Sequence, residues 1–148
     1  MQWPFAMESA HPMVVHFPIA LLLTAVLIDL GAILLKRPAW HAVGLWNLCL
    51  GTLGAGVAVW TGLRAAEVAK HTFEIHQVME RHEMCGIATL TCGSLIMLWR
   101  LWTRDRLKNR ARMLTMLAMF LMASTLAYGA HLGGRLVYEF GVGGAFGK

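Results

Sequence analysis

The stretch His11-Pro-Met-Val-Val-His16-Phe-Pro-Ile-Ala-Leu-Leu-Leu23 decides the fold. It places two histidines on one short segment, and the second opens a long apolar run that continues to Leu35. About 20 apolar residues at a 1.5 Å rise span the hydrocarbon core of a bilayer. The spacing therefore predicts a membrane helix over about 13–35. Pro18 falls in its first turns, where proline costs least. A histidine at the rim of such a helix is costly without a partner or a role.

Working outward, the same signal returns three times. Helices are expected over about 41–63, 82–102 and 113–131. Together with the first they form an all-α, up-down four-helix membrane bundle in one domain, 1–148. Residues 132–148 are expected as a glycine-rich cap outside the membrane, and 64–81 as a polar helical segment outside it or extending the third helix. Hydrophobic residues make up 57% of the 148-residue chain and charged residues 14%. A soluble domain carries roughly 25% charged residues. The net charge of +5 comes mainly from the loops, which excludes a nucleic-acid partner and leaves the lipid bilayer as the surrounding medium. Trp3, Pro4 and Glu8 at the start do not read as a cleavable signal. Cys49, Cys85 and Cys92 lie in apolar segments and read as small buried residues rather than a disulfide framework.

The basic residues orient the bundle. Lys36, Arg37, Arg100, Arg104, Arg106, Lys108, Arg110 and Arg112 fall at one end; Arg64, Lys70, Arg81, Arg135 and Lys148 fall at the other, beside six glutamates. The positive-inside rule then places the first set in the cytoplasm and both termini in the periplasm of a bacterial inner membrane.

That topology puts His11, His16, His71, His76, His82 and His131 at the outer face and only His41 inside. Counted from the basic ring, His16, His82 and His131 lie at about 30, 27 and 28 Å. Helices one and three sit diagonally in an up-down bundle, so His16 and His82 are expected to face each other as the axial ligands of a haem b. Arg64, Arg81 and Arg135 are the expected partners of its propionates. His11, His76 and His131 could hold a second haem, or hydrogen-bond to propionates. A rival reading binds copper through His11, His16, His71 and His76 with Met7, Met13, Met79 and Met84. The small residues Gly54, Ala58 and Gly62, four apart on one face, fit close helix packing or a flat ring. Asp29, inside helix one, reads either as a functional carboxylate or as a polar cap bonded to Asn47, Trp46 or Arg37.

HPMVVHFPIALL at the start, ERHE leading into helix three and GGRLVYEFGVGG after helix four resemble the DUF2231 family of four-helix bacterial membrane proteins. The resemblance covers most of the chain. It implies an inner-membrane unit that binds haem and works with redox partners, with His11, His16, His82 and the Gly133–Gly144 tail as the matching positions. Where the family pattern often has histidine before GVG, this sequence has Phe140, and His131 is the nearby imidazole. The expected function is a membrane cytochrome b subunit, rather than a stand-alone enzyme, passing electrons between a periplasmic redox protein and quinone or another membrane carrier. The alternatives are a cofactor-free assembly subunit of a larger complex and a copper- or haem-handling protein.

Overall fold

A computed structural model describes residues 7–68 and 72–142, the side chains of residues 7–10 and 68 excepted. The described residues form five helices: α1 (Met7–Val14), α2 (His16–Leu34), α3 (Trp40–Val68), α4 (Phe73–Trp102) and α5 (Asn109–Tyr138). The spans His11–Leu34, Trp40–Glu67, Phe73–Trp102 and Asn109–Tyr138 are each long and apolar enough to cross a membrane. The chain is an all-helical membrane protein with four candidate spans.

Within the membrane-length stretches of α2 to α5 the helices are apolar nearly all round, the pattern of a helix with lipid on one side and protein on the other. Leu27, Leu34, Leu53, Val57, Leu95, Leu114, Leu117 and Leu121 face outward. Trp40, Trp99 and Trp102 are exposed near one end and Trp60 near the other, where indole rings favour the interface between lipid and water. Between the helices, Leu22, Ala25, Val26, Leu48, Ala55, Ile96, Met116, Met119 and Met122 form the core.

The packing is that of an up-down bundle. α2 lies on α3, α4 on α5, α3 on α4 and α2 on α5, with no backbone approach between α2 and α4 or between α3 and α5 among the described residues. The first and third spans are therefore diagonal, as the sequence predicts.

Three boundaries differ from expectation. First, helix begins at Met7 rather than near Met13, and α1 is set off from α2 at Val15. Pro18 accounts for the offset, since it has no N–H for the Val14 carbonyl and its ring crowds that carbonyl. Second, residues 64–68 continue α3 to Val68, while 73–81 extend the third span, one of the two expectations for them, with α4 starting at Phe73 and Thr72 capping the Ile75 N–H. Third, α5 passes straight through Gly133 and Gly134 to Tyr138, so the cap begins later than residue 132. Packing against α4 overrides the poor helix propensity of the two glycines. The chain then folds back, with Phe140 and Val142 packed against Ile75, Met79 and Leu136.

Candidate cofactor site

The two ends of the bundle hold two polar clusters, and the inner one sets the register of the outer. At the end that carries the basic loops, Arg100 is 1% exposed although it belongs to a loop-proximal helix end. Its Nη1 pairs with the Asp29 carboxylate, Nη2 donates to the His41 carbonyl at 2.9 Å, and Nε donates to Asp105 Oδ1 at 3.0 Å. Arg112 Nη1 reaches Asp105 Oδ1 at 3.1 Å, and His41 Nδ1 contacts Asp29 Oδ1. Gly44 makes room, since a Cβ there would meet the Asp29 carboxylate at 2.9 Å. The sequence offers Asn47, Trp46 or Arg37 as partners of Asp29. The structure replaces them with His41 and Arg100, while Asn47 bonds the Val43 carbonyl of its own helix. Arg100 and Arg112 are therefore members of a buried ion network rather than free loop cations.

Because Asp29 and Arg100 touch, they lie at one depth on two parallel helices. The separation from His11 to Asp29 along the sequence equals that from His82 to Arg100. It amounts to about five complete turns, roughly 27 Å, and returns to the same helix face. The ion pair thus aligns His11, not His16, with His82. The two rings stand 6.0 Å apart, centre to centre, and nearly perpendicular at 78°. His16 is exposed at the rim of the cavity described below. The step from His11 to His16 turns a helical side chain by about 140°, so only one of the two can face the bundle interior.

Hydrogen bonds fix the tautomer of both rings. His82 Nδ1 lies 2.8 Å from the Gly129 carbonyl oxygen, which can only accept. The proton is therefore on Nδ1. His11 Nδ1 lies 3.2 Å from Thr61 Oγ1, whose own hydroxyl donates to the Ala58 carbonyl at 3.0 Å. That leaves the threonine oxygen as acceptor and the proton again on Nδ1. A neutral imidazole protonated at Nδ1 carries its lone pair on Nε2. Metal-binding histidines are set up in this way, with the second nitrogen donating to a carbonyl or similar group. Each ring also lies against a glycine. A Cβ on Gly62 would come within 2.9 Å of His11 Cε1, and one on Gly133 within 3.0 Å of His82 Cε1. The close face of the bundle that the sequence offers to a neighbouring helix or a flat ring receives, at Gly62, an imidazole.

Both rings line a cavity of about 820 Å³ that runs from Ala55, Thr89 and Leu126 inside the bundle to Thr72, Tyr138 and Val142 at its outer mouth. Cofactor pockets measure roughly 300–1,000 Å³ and are mostly apolar with a few placed polar groups. This one adds Glu83, Thr89 and Cys85 to the histidines.

The remaining candidates lie elsewhere. His76 and His131 are exposed and do not line the cavity. His71 falls outside the described residues. Arg64 pairs with Glu67 at 3.2 Å and Arg135 with Glu139 at 2.9 Å, both on the surface. Arg81 and Arg135 share a smaller cleft of about 340 Å³ between α4 and α5, with Glu74 and Tyr128. None of the three arginines lines the large cavity. Met13 and Met84 are exposed and Met79 is packed beside Ile75 and Leu136, while the Met7 side chain is outside the description. No group of three or more His, Cys, Asp or Glu suited to a metal ion occurs among the described residues. Reading the sequence by depth alone misses Thr61, Gly62, Gly129 and Gly133 around the rings. The equal spacings from His11 to Asp29 and from His82 to Arg100 are the signal that could have found His11.

The fold and its outer site define a four-helix integral membrane protein with a paired-histidine cavity at one end. The chain belongs to the family described as predicted membrane protein DUF2231, whose model matches residues 8–145. No curated protein and no solved structure matches it.

Proposed function

We propose that the protein is a membrane b-type cytochrome in which His11 and His82 hold one haem b, and that it passes electrons between a redox protein at the histidine end and a quinone or another membrane carrier. One observation carries this reading. Two imidazoles from diagonal helices, each bonded at Nδ1 and leaving Nε2 for a ligand, meet at a cofactor-sized cavity. With ring centres 6.0 Å apart, His11 and His82 would be the residues to hold the haem iron between them. Haem held by His11 and His82 would supply one-electron chemistry, tuned by the two imidazoles and the buried setting. The chain's own part is to hold both rings in one tautomer through Thr61 and Gly129, and to keep lipid from the site with α1 and the folded-back segment 139–142. The basic loop between α4 and α5 supports an inner-membrane orientation with the histidine end in the periplasm.

The test is a reduced-minus-oxidised spectrum with pyridine haemochrome quantitation on the detergent-purified chain. The expected ratio is one haem per chain. His11→Ala and His82→Ala should each abolish the low-spin signal, whereas His16→Ala and His131→Ala should keep it. A folded, colourless protein produced under haem supply would overturn the proposal, and a normal signal in His82→Ala would overturn the ligand assignment.

A further inference from the structure

Two hydroxyls in the bundle interior, one of them at the floor of the cavity, are buried without a partner among the described residues. Thr24, Thr115, Ser124 and Thr125 turn their hydroxyls back onto the carbonyl four positions earlier, and Thr61 onto that three earlier. This is the ordinary way to satisfy a hydroxyl inside a membrane helix. Thr52 and Thr89 do not do so. They are 2% and 3% exposed, and the Oγ1 of each is a buried oxygen with no hydrogen-bond partner among the described residues.

Their positions are matched. Thr52 follows His41 by the same separation at which Thr89 precedes Arg100, while His41 and Arg100 are bonded to each other. Both threonines therefore lie about 17 Å above the inner ion network, near mid-membrane. Thr52 Oγ1 sits against Gly93, 3.0 Å from where a Cβ would be, and Gly93 is about one turn from Thr89 on the same face of α4. Thr89 lines the cavity directly below His82, about two turns deeper. A buried hydroxyl left without a partner in an apolar interior costs free energy, and two such groups at one depth, both beside the Gly93 turn of α4, are the setting in which an oxygen-bearing guest is held.

We infer that Thr52 and Thr89 share one oxygen-bearing guest between α3 and α4, reached from the cavity floor that Thr89 lines: a buried water, or the carbonyl oxygen of a lipid-soluble quinone. The inference stands independently of the haem assignment. Threonine and valine have nearly the same shape, so removal of each hydroxyl isolates the hydrogen bond. With a guest in place, Thr52→Val and Thr89→Val in the full chain in lipid nanodiscs each lower the unfolding midpoint by about 3–6 °C. The double variant falls by less than the sum, because both hydroxyls serve one guest. Thr52→Ser and Thr89→Ser stay within about 2 °C of the wild type. A short-chain ubiquinone that raises the midpoint of the wild type but not of Thr89→Val identifies the guest as a quinone oxygen. No such difference identifies it as water. Valine variants that unfold at or above the wild-type midpoint overturn the inference. So do serine variants as unstable as the valine ones, since the lost contact is then the methyl group's.

Discussion

The inner and outer ends of this bundle each bury a polar cluster that includes histidine, and the two clusters do opposite things. At the inner end two guanidiniums, two carboxylates and an imidazole bond to one another and draw α2, α3, α4 and the Asp105 turn together. At the outer end two imidazoles are bonded at one nitrogen only, and their rings line a cavity. In a medium of low dielectric, a polar network that satisfies itself fastens a fold. One that is satisfied on one side, with room on the other, marks a binding site. The distinction lies in satisfaction and space.

The strongest way to break the comparison is at the fastening. Arg100→Ala leaves Asp29 with only His41 and Asp105 with only Arg112, and removing one partner from a buried ion pair costs about 3–5 kcal/mol. The fraction of protein recovered folded from the membrane and its unfolding midpoint measure this. The double variant Asp29→Ala with Arg100→Ala should recover part of the loss. A cost below about 1 kcal/mol would mean that the inner network does not fasten the bundle. His41→Ala belongs to the same end, so it should lower stability and leave any haem spectrum in place.

The outer end is sharpened by a pair of adjacent glycines. Gly133→Ala pushes a Cβ into His82 and should cost about 1–3 kcal/mol while altering the absorption of a ligated haem. Gly134→Ala meets nothing within 4 Å and should raise helix stability by about 0.5–1 kcal/mol with the spectrum unchanged. Equal effects at the two positions would remove the argument that Gly133 is there for the imidazole.

Smaller effects test what belongs to neither end's chemistry. Lys36 follows α2 with φ of 52°, a left-handed conformation that glycine adopts freely. Lys36→Gly should stabilise by about 1 kcal/mol, seen as a higher unfolding midpoint. Arg64→Gln removes a surface pair with Glu67 and should shift stability by less than about 0.5 kcal/mol. A larger loss would give that arginine a role that its exposed position does not supply.

Much of this is legible from local pattern. Four apolar runs of membrane length demand helices, because backbone groups in lipid can be satisfied only within the segment, and short loops between them demand antiparallel neighbours. The chemical identity of the outer face, crowded with histidine, needs only the count of turns from the basic loops. Azimuth is harder to read. A depth count treats His11 and His16 as alternatives and prefers the one nearer the apolar run. Which ring turns inward depends on the Asp29–Arg100 pair that sets the register of α2 against α4.

By itself, the sequence determined the number of spans, their antiparallel order and the end at which the histidines gather, since these follow from hydropathy and rise per residue. Only the tertiary structure decided that Arg100 is buried rather than a loop cation, that His11 and not His16 meets His82, and that Thr61 and the Gly129 carbonyl hold both rings in one tautomer. The bonds behind these outcomes join residues 47 to 71 positions apart. Such contacts depend on the rotation of one helix about its axis relative to another. That rotation is set by side chains packing between helices, so neither helix alone carries the information.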